Sequence, residues 1–196
     1  MPTIVHGFDW PDRVVVGTVG QPGSRSFYLQ ARSGSRVTSV ALEKEQSAVL
    51  AEKIEEILDE LRSAEGNPLS IPDSTPLELI DNDPLEQPVE PAFRTGTMSL
   101  GWDPSTLQVV IEAFPIIEVE IDDAPDDDID NVFDDDLPDV LRVEPEEMMV
   151  VRIPVGTARA FAKRTLEIVG AGRPLCPLCG TPVDPEGHTC ALPGGF

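Results

Sequence analysis

The sequence predicts an α+β fold, with a mostly antiparallel sheet or sheets built from two strand-rich halves, each ending in a helix, and with a C-terminal zinc knuckle. Three observations carry that prediction. β-branched, turn-bounded runs recur at 13–42 and again between 93 and 153; each set is followed by an apolar stripe at helical spacing; and every cysteine falls after residue 175. A chain of 196 residues can bury one good core plus a small appendage. The expected division is 1–172 for the α+β domain and 173–196 for the knuckle.

In chain order, His6-Gly-Phe8-Asp9-Trp10-Pro11 reads as an arm covering a core edge, because Pro11 fixes where regular structure can begin. Three strands follow as a meander: Arg13–Val19, Ser26–Arg32 and Arg36–Leu42, separated by Gly20-Gln-Pro22-Gly23-Ser24 and Ser33-Gly34-Ser35. In the third strand Thr38, Val40 and Leu42 form the expected buried face. From Lys44 to about Ala64 the period becomes helical. Leu50, Ile54, Ile57, Leu58 and Leu61 make one apolar stripe that should lie on the sheet, and Gly66-Asn67-Pro68 ends the helix.

Residues 67–92 carry six prolines and no basic residue, so they form neither an inner strand nor a long helix. Leu69, Ile71, Leu77, Leu79 and Ile80 are more apolar than a solvated linker requires, which predicts a strap pinned against the domain. The second strand block runs through Arg94–Trp102 and Thr106–Phe114 around the turn Asp103-Pro104-Ser105. It continues through an edge strand at 116–121 and an extended stretch at 140–153. A helix from Val155 to about Val169 follows, with Ala158, Phe161, Ala162 and Thr165 inward and Arg159, Lys163 and Glu167 on the outer face. The two halves therefore read as a possible duplicated β-β-β-α unit.

Between Glu118 and Glu147 lie fifteen acids against one base, Arg142, out of a formal net charge of −22. Such density favours an open, solvated loop at 118–147. Calcium is one alternative, but Asp126-Asp-Asp-Ile-Asp130 lacks the glycine and terminal glutamate of an EF-hand loop. The other is a lure for a basic surface, in a partner or in this chain's own Arg25, Arg32, Arg36, Arg159, Lys163 and Arg164. The net charge disfavours general attraction to nucleic acid or anionic lipid. No apolar run approaches the roughly 20 residues that span a bilayer, and Met1–Trp10 has neither a basic start nor an apolar signal core. A cytoplasmic protein is expected, and three cysteines crowded into one segment fit a reducing compartment.

The most specific stretch is Cys176-Pro-Leu-Cys179-Gly180 with Asp184-Pro-Glu-Gly187-His188-Thr-Cys190. Cys176, Cys179, His188 and Cys190 match a tetrahedral structural zinc site of three sulfurs and one nitrogen. Four protein ligands leave no open position for a catalytic water. A redox Cys-x-x-Cys pair usually opens a helix, against which Pro182 and Pro185 argue. A further alternative leaves His188 aside and takes the fourth ligand from another chain. No phosphate-binding Gly-x-x-x-x-Gly-Lys run, nucleophile elbow or His-Glu-x-x-His helix occurs, and no catalytic residue is assigned.

The run Gly17-Thr-Val-Gly20-Gln-Pro22-Gly23-Ser-Arg25-Ser-Phe27-Tyr-Leu29-Gln-Ala-Arg32, the helix entry Leu42-Glu-Lys-Glu-Gln46 and the terminal Cys-Pro-Leu-Cys-Gly together resemble an actinobacterial family, domain of unknown function 3090, over nearly the full length. The resemblance carries over no catalytic residue. Genes of that family tend to sit beside a histidine-phosphatase-like protein and a mycothiol-pathway ligase, which implies a cytosolic setting and a link to thiol metabolism. The leading expectation is a non-enzymatic binding or adaptor protein with a structural zinc site, an acidic loop and a basic protein partner. The alternative is an enzyme or accessory factor in low-molecular-weight thiol or phosphate metabolism, with Arg25, Arg32 and Arg36 around an anionic ligand. Nucleic-acid binding ranks third, since it needs the acidic loop to mask a basic face.

Overall fold

The computed structural model describes residues 3–116, 145–172, 176–179 and 183. Seven strands, β1 (Ile4–Asp9), β2 (Arg13–Val19), β3 (Ser26–Ser33), β4 (Arg36–Leu42), β5 (Pro91–Asp103), β6 (Gln108–Pro115) and β7 (Glu147–Pro154), accompany two helices, α1 (Lys44–Arg62) and α2 (Val155–Gly170). The strands form one sheet in the order β1-β7-β6-β5-β4-β3-β2. Within it β2-β3-β4 and β5-β6-β7 are antiparallel meanders, each followed by a helix. They are joined by the parallel pairing of β4 with β5, whose crossover α1 and the strap supply.

The expected meander 13–42 matches β2, β3 and β4 almost residue for residue. The N-terminal segment differs from the expected arm. It is a strand, β1, paired in parallel with β7 from Ile4↔Glu147 to Asp9↔Arg152, and it places Phe8 in the core. Only Trp10-Pro11-Asp12 separates β1 at one edge of the sheet from β2 at the other. Seven strands lying flat would put those edges about 29 Å apart, whereas so short a link reaches only about 14 Å. The sheet is therefore strongly curled, and Arg36 at the start of β4 donates to the Gly7 carbonyl across the gap.

The helices pack on each other and on one face of this curled sheet. Val14, Val16, Leu29, Val40, Ile111 and Val151 from alternate strand positions meet Leu50, Ile54 and Leu58 of α1 and Ala158, Phe161 and Ala162 of α2 in a single core. This is the outcome expected when period-two and period-3.6 apolar patterns face each other. Ile57 and Leu61 of the expected stripe are half-buried, while Ser47 and Ala51 join the buried face. Gln46 accepts from the Glu43 amide and donates to the Thr95 and Gly96 carbonyls, which fixes the entry of α1 against β5.

Residues 67–90 do form a strap, with a single 3-10 turn at Leu77–Leu79. It is anchored at Ile71 and Leu85, both buried. Leu85 sits so close over Gly17 that a Cβ there would meet its Cγ at 2.5 Å, and Gln30 exchanges two hydrogen bonds with the Glu86 backbone. Of the residues expected to pin the strap, Leu69 packs on the core. Leu77, at 83 %, and Ile80 are exposed, whereas Leu79, partly exposed, rests its Cδ1 over Gly156 of α2. The expected edge strand at 116–121 lies outside the described residues from 117 onward, as does the acidic loop up to residue 144. No helix among the described residues is long and apolar enough to cross a membrane.

Candidate functional site

The cysteine turn is present where the sequence places it. Cys176 is buried, Cys179 is half-buried, and Pro177–Cys179 form a turn in which the Leu178 amide donates to Cys176 Sγ at 3.4 Å. An amide aimed at the first sulfur of a Cys-x-x-Cys turn favours the thiolate, the form that ligates a metal. Two of the four expected ligands thus share one tight turn with a donor set suited to zinc. His188 and Cys190 lie outside the described residues. Among the described residues no group of three or more His, Cys, Asp or Glu is placed to hold a metal.

The basic residues expected to bind a ligand or partner go to separate places. Arg25 donates to the Ile168 carbonyl at 2.9 Å near the C-terminal end of α2, where cations are favoured, and lies over the Phe27 ring. Arg32 pairs with Glu86 at 2.7 Å, close in distance but poorly angled for a hydrogen bond. Arg36 covers the Phe8 ring, 4.2 Å from its centroid, besides holding Gly7. These three arginines do not converge on one pocket. Lys163 pairs along its own helix with Glu167 at 4.0 Å.

Arg159 departs most from its expected place on the outer face of α2. It is 4 % exposed and sits between the helices, donating to Glu55 and, at 2.9 Å, to Asp59 of α1. The 3.6-residue period put it on a polar face, but α1 packs on that face and supplies the carboxylates.

Convergence occurs elsewhere, where β2, α2 and the strap meet. Arg13 grips the Asp81 carboxylate with both arms of its fork, Nε to Oδ2 at 2.6 Å and Nη2 to Oδ1 at 3.0 Å. Arg164 donates to the same Oδ1 at 2.7 Å. Both also hold the Asp83 carbonyl, at 2.9 and 2.6 Å, and Arg164 reaches the Val16 carbonyl of edge strand β2 at 3.3 Å. The Arg13 hydrogen bond holds the Asp81 carboxyl below its ordinary range and raises Arg13 in turn. Burial pulls the Arg164 guanidinium the other way, with Arg13 beside it adding like-charge repulsion. A cavity of about 530 Å³ opens here, lined by these three residues and by Asp12, Glu78 and Thr157 among others. Arg13 and Asp81 were not singled out in the sequence. The signal that could have found them is the charge contrast between a strap with six acids and no base and the basic residues flanking β2 and lining α2.

A second concavity of about 390 Å³ lies between α1 and β5, with Val49, Leu50, Met98 and Leu100 as its apolar lining and Glu45 and Lys53 among its polar residues. Residues 6–190 match the family described as protein of unknown function (DUF3090). The chain belongs to the DUF3090 family. That match spans the curled sheet, both helices, the strap and the cysteine turn, so the DUF3090 unit includes both concavities and all four expected metal ligands. No curated protein and no solved structure matches the chain.

Proposed function

We propose that this DUF3090 protein is a non-catalytic binding or adaptor protein of the cytosol that takes a basic protein partner, with a structural zinc ion organising its C-terminal segment. The observation that carries the partner class is the placement of the cations. Arg13, Arg25, Arg32, Arg36, Arg159 and Arg164 are all engaged by carboxylates or carbonyls of the chain itself. Glu45, Glu52, Glu56 and Glu60 of α1 are exposed, and the sequence adds fifteen acids at 118–147 to the negative charge of the chain. The apolar groove between α1 and β5 adjoins the acidic face of α1, so a basic segment with an apolar side fits both.

Zinc at Cys176, Cys179, His188 and Cys190 supplies binding free energy in place of a core for a segment too small to have one. The Leu178 amide on Cys176 Sγ supports that donor set. The tandem order of the two β-β-β-α units along one sheet supports an internal duplication.

The test pairs native mass spectrometry with capture from lysate at low and high salt. One zinc per chain is expected, with a basic protein retained at low salt, released at high salt and lost from the exposed-site variant Val49→Lys. Deleting residues 122–139 is expected to weaken capture and blunt its salt response. Absence of a tightly held metal defeats the zinc assignment. Identical capture by the wild type, Val49→Lys and the deletion defeats the partner assignment.

A further inference from the structure

We propose that the corner between β2 and α2 is a binding site for a small phosphate-bearing anion, and that the strap, with Asp81 seated between Arg13 and Arg164, is its built-in competitor. The proposal is independent of the adaptor reading and concerns the opposite kind of charge.

Charge is segregated between the strap and the surface beneath it. Residues 67–92 hold six acids and no base, whereas the groups the strap meets from β2, β3 and α2 include Arg13, Arg32 and Arg164. Glu78, Asp81 and Asp83, three of the acids lining the cavity, belong to the strap. Lifting it removes them together and leaves Arg13 and Arg164 with Thr157, in the first turn of α2, and a single acid, Asp12. The strap is held there by polar contacts more than by buried apolar ones. Between the buried anchors Ile71 and Leu85, every residue from 72 to 84 is exposed or half-exposed. Leu77 and Ile80 are exposed, and the segment is held by the Asp81 carboxylate, by guanidinium hydrogen bonds to the Asp81, Asp83 and Pro84 carbonyls, and by Leu79 lying over Gly156 of α2.

The space also exceeds what Asp81 fills. Cavities of about 530 and 200 Å³ share Asp81, Asn82 and Arg164 in their walls. Two carboxylate oxygens now receive three guanidinium donors and the Asp83 amide. A phosphate group presents more oxygens to the same forked donors. Exchanging one anion for another keeps both half-buried guanidiniums paired, so displacement avoids the cost of an unpaired buried charge. Burial of Arg164 adds to the demand for an anion at this place.

Inorganic phosphate is the probe, added to the full chain. By titration calorimetry, Asp81→Asn is expected to bind phosphate at least ~10-fold more tightly than wild type, because the neutral amide competes poorly for two guanidiniums. The double variant Asp81→Asn/Arg164→Gln is expected to lose that gain. In wild type, phosphate is expected to speed amide hydrogen exchange across 73–83, and sodium chloride at equal ionic strength is not. Equal affinity of wild type and Asp81→Asn, retained affinity in the double variant, or an equal effect of chloride would overturn the proposal. If Asp81→Asn does not fold, the exchange measurement on wild type decides alone, and unchanged exchange with phosphate counts against the site.

Discussion

At the scale of single residues, Asp81 has the clearest titration behaviour. Arg13, Arg164, Asp83 and Glu86 surround it or its partners, and the Arg13 hydrogen bond leads in holding its carboxyl below the ordinary value. A chain with the strap released protonates this group near ~4. The contact's contribution is therefore fully present above ~4 and is lost as pH falls through the lower folded value. Hydrogen exchange of 73–83, corrected for intrinsic rates, is expected to stay constant from neutral pH to about 4.5 and to accelerate below. Asp81→Asn is expected to show faster exchange at neutral pH and no acid step. A loss of protection between pH 5 and 7 instead would assign the anchoring to another group. Little of this corner was legible in the sequence, because Arg13, Asp81 and Arg164 stand 68 and 83 positions apart and only the fold brings them together. The cysteine turn was legible, since its chemistry is local and its spacing short.

At the scale of elements, legibility followed locality. β2, β3, β4 and α1 are bounded by Gly, Pro and Ser turns and carry their period within one segment, so each was readable. β1 was not: Ile4-Val-His-Gly-Phe-Asp alternates weakly, and its pairing partner β7 begins at Glu147. Arg159 shows the matching limit for helices, since a polar position is outward only until another helix covers it. The residue is 4 % exposed and its Nε has no hydrogen-bond partner among the described residues. A buried ion pair of this kind adds little net stability over a well-packed apolar residue, while stranding one charge is expensive. Arg159→Met is thus expected to lie within about 1 kcal/mol of wild type in urea unfolding, because Glu55 and Asp59 can turn to water. Glu55→Ala combined with Asp59→Ala is expected to cost about 3 kcal/mol by leaving the guanidinium buried and unpaired. A larger loss from Arg159→Met than from the double substitution would show that the pair itself holds the helices together.

At the scale of the whole molecule, the core among the described residues is built from the sheet, the strap and both helices. The continuous core runs from Phe8 to residues at the end of α2, and Cys176 is buried outside it. β1 covers the β7 edge, the strap covers part of β2 and β3, and α1 and α2 fill the inner face. The proposed zinc is then expected to serve local folding, since the free energy of metal binding acts on the short segment that carries the ligands. Adding a strong chelator to the full chain is expected to release one zinc and to bring amide exchange at 176–196 to the rate of an open chain. The far-UV dichroism and the urea transition of the body are expected to stay within about 0.5 kcal/mol of the untreated protein, the size of effect typical of a change remote from the core. If chelation instead shifts the main transition by several kcal/mol, the cysteine turn braces the α2 end of the core and the chain folds as one unit with its metal. If the body is unaffected and Asp81→Asn still binds phosphate after chelation, the zinc segment and the β2–α2 corner are energetically separate features of the same fold.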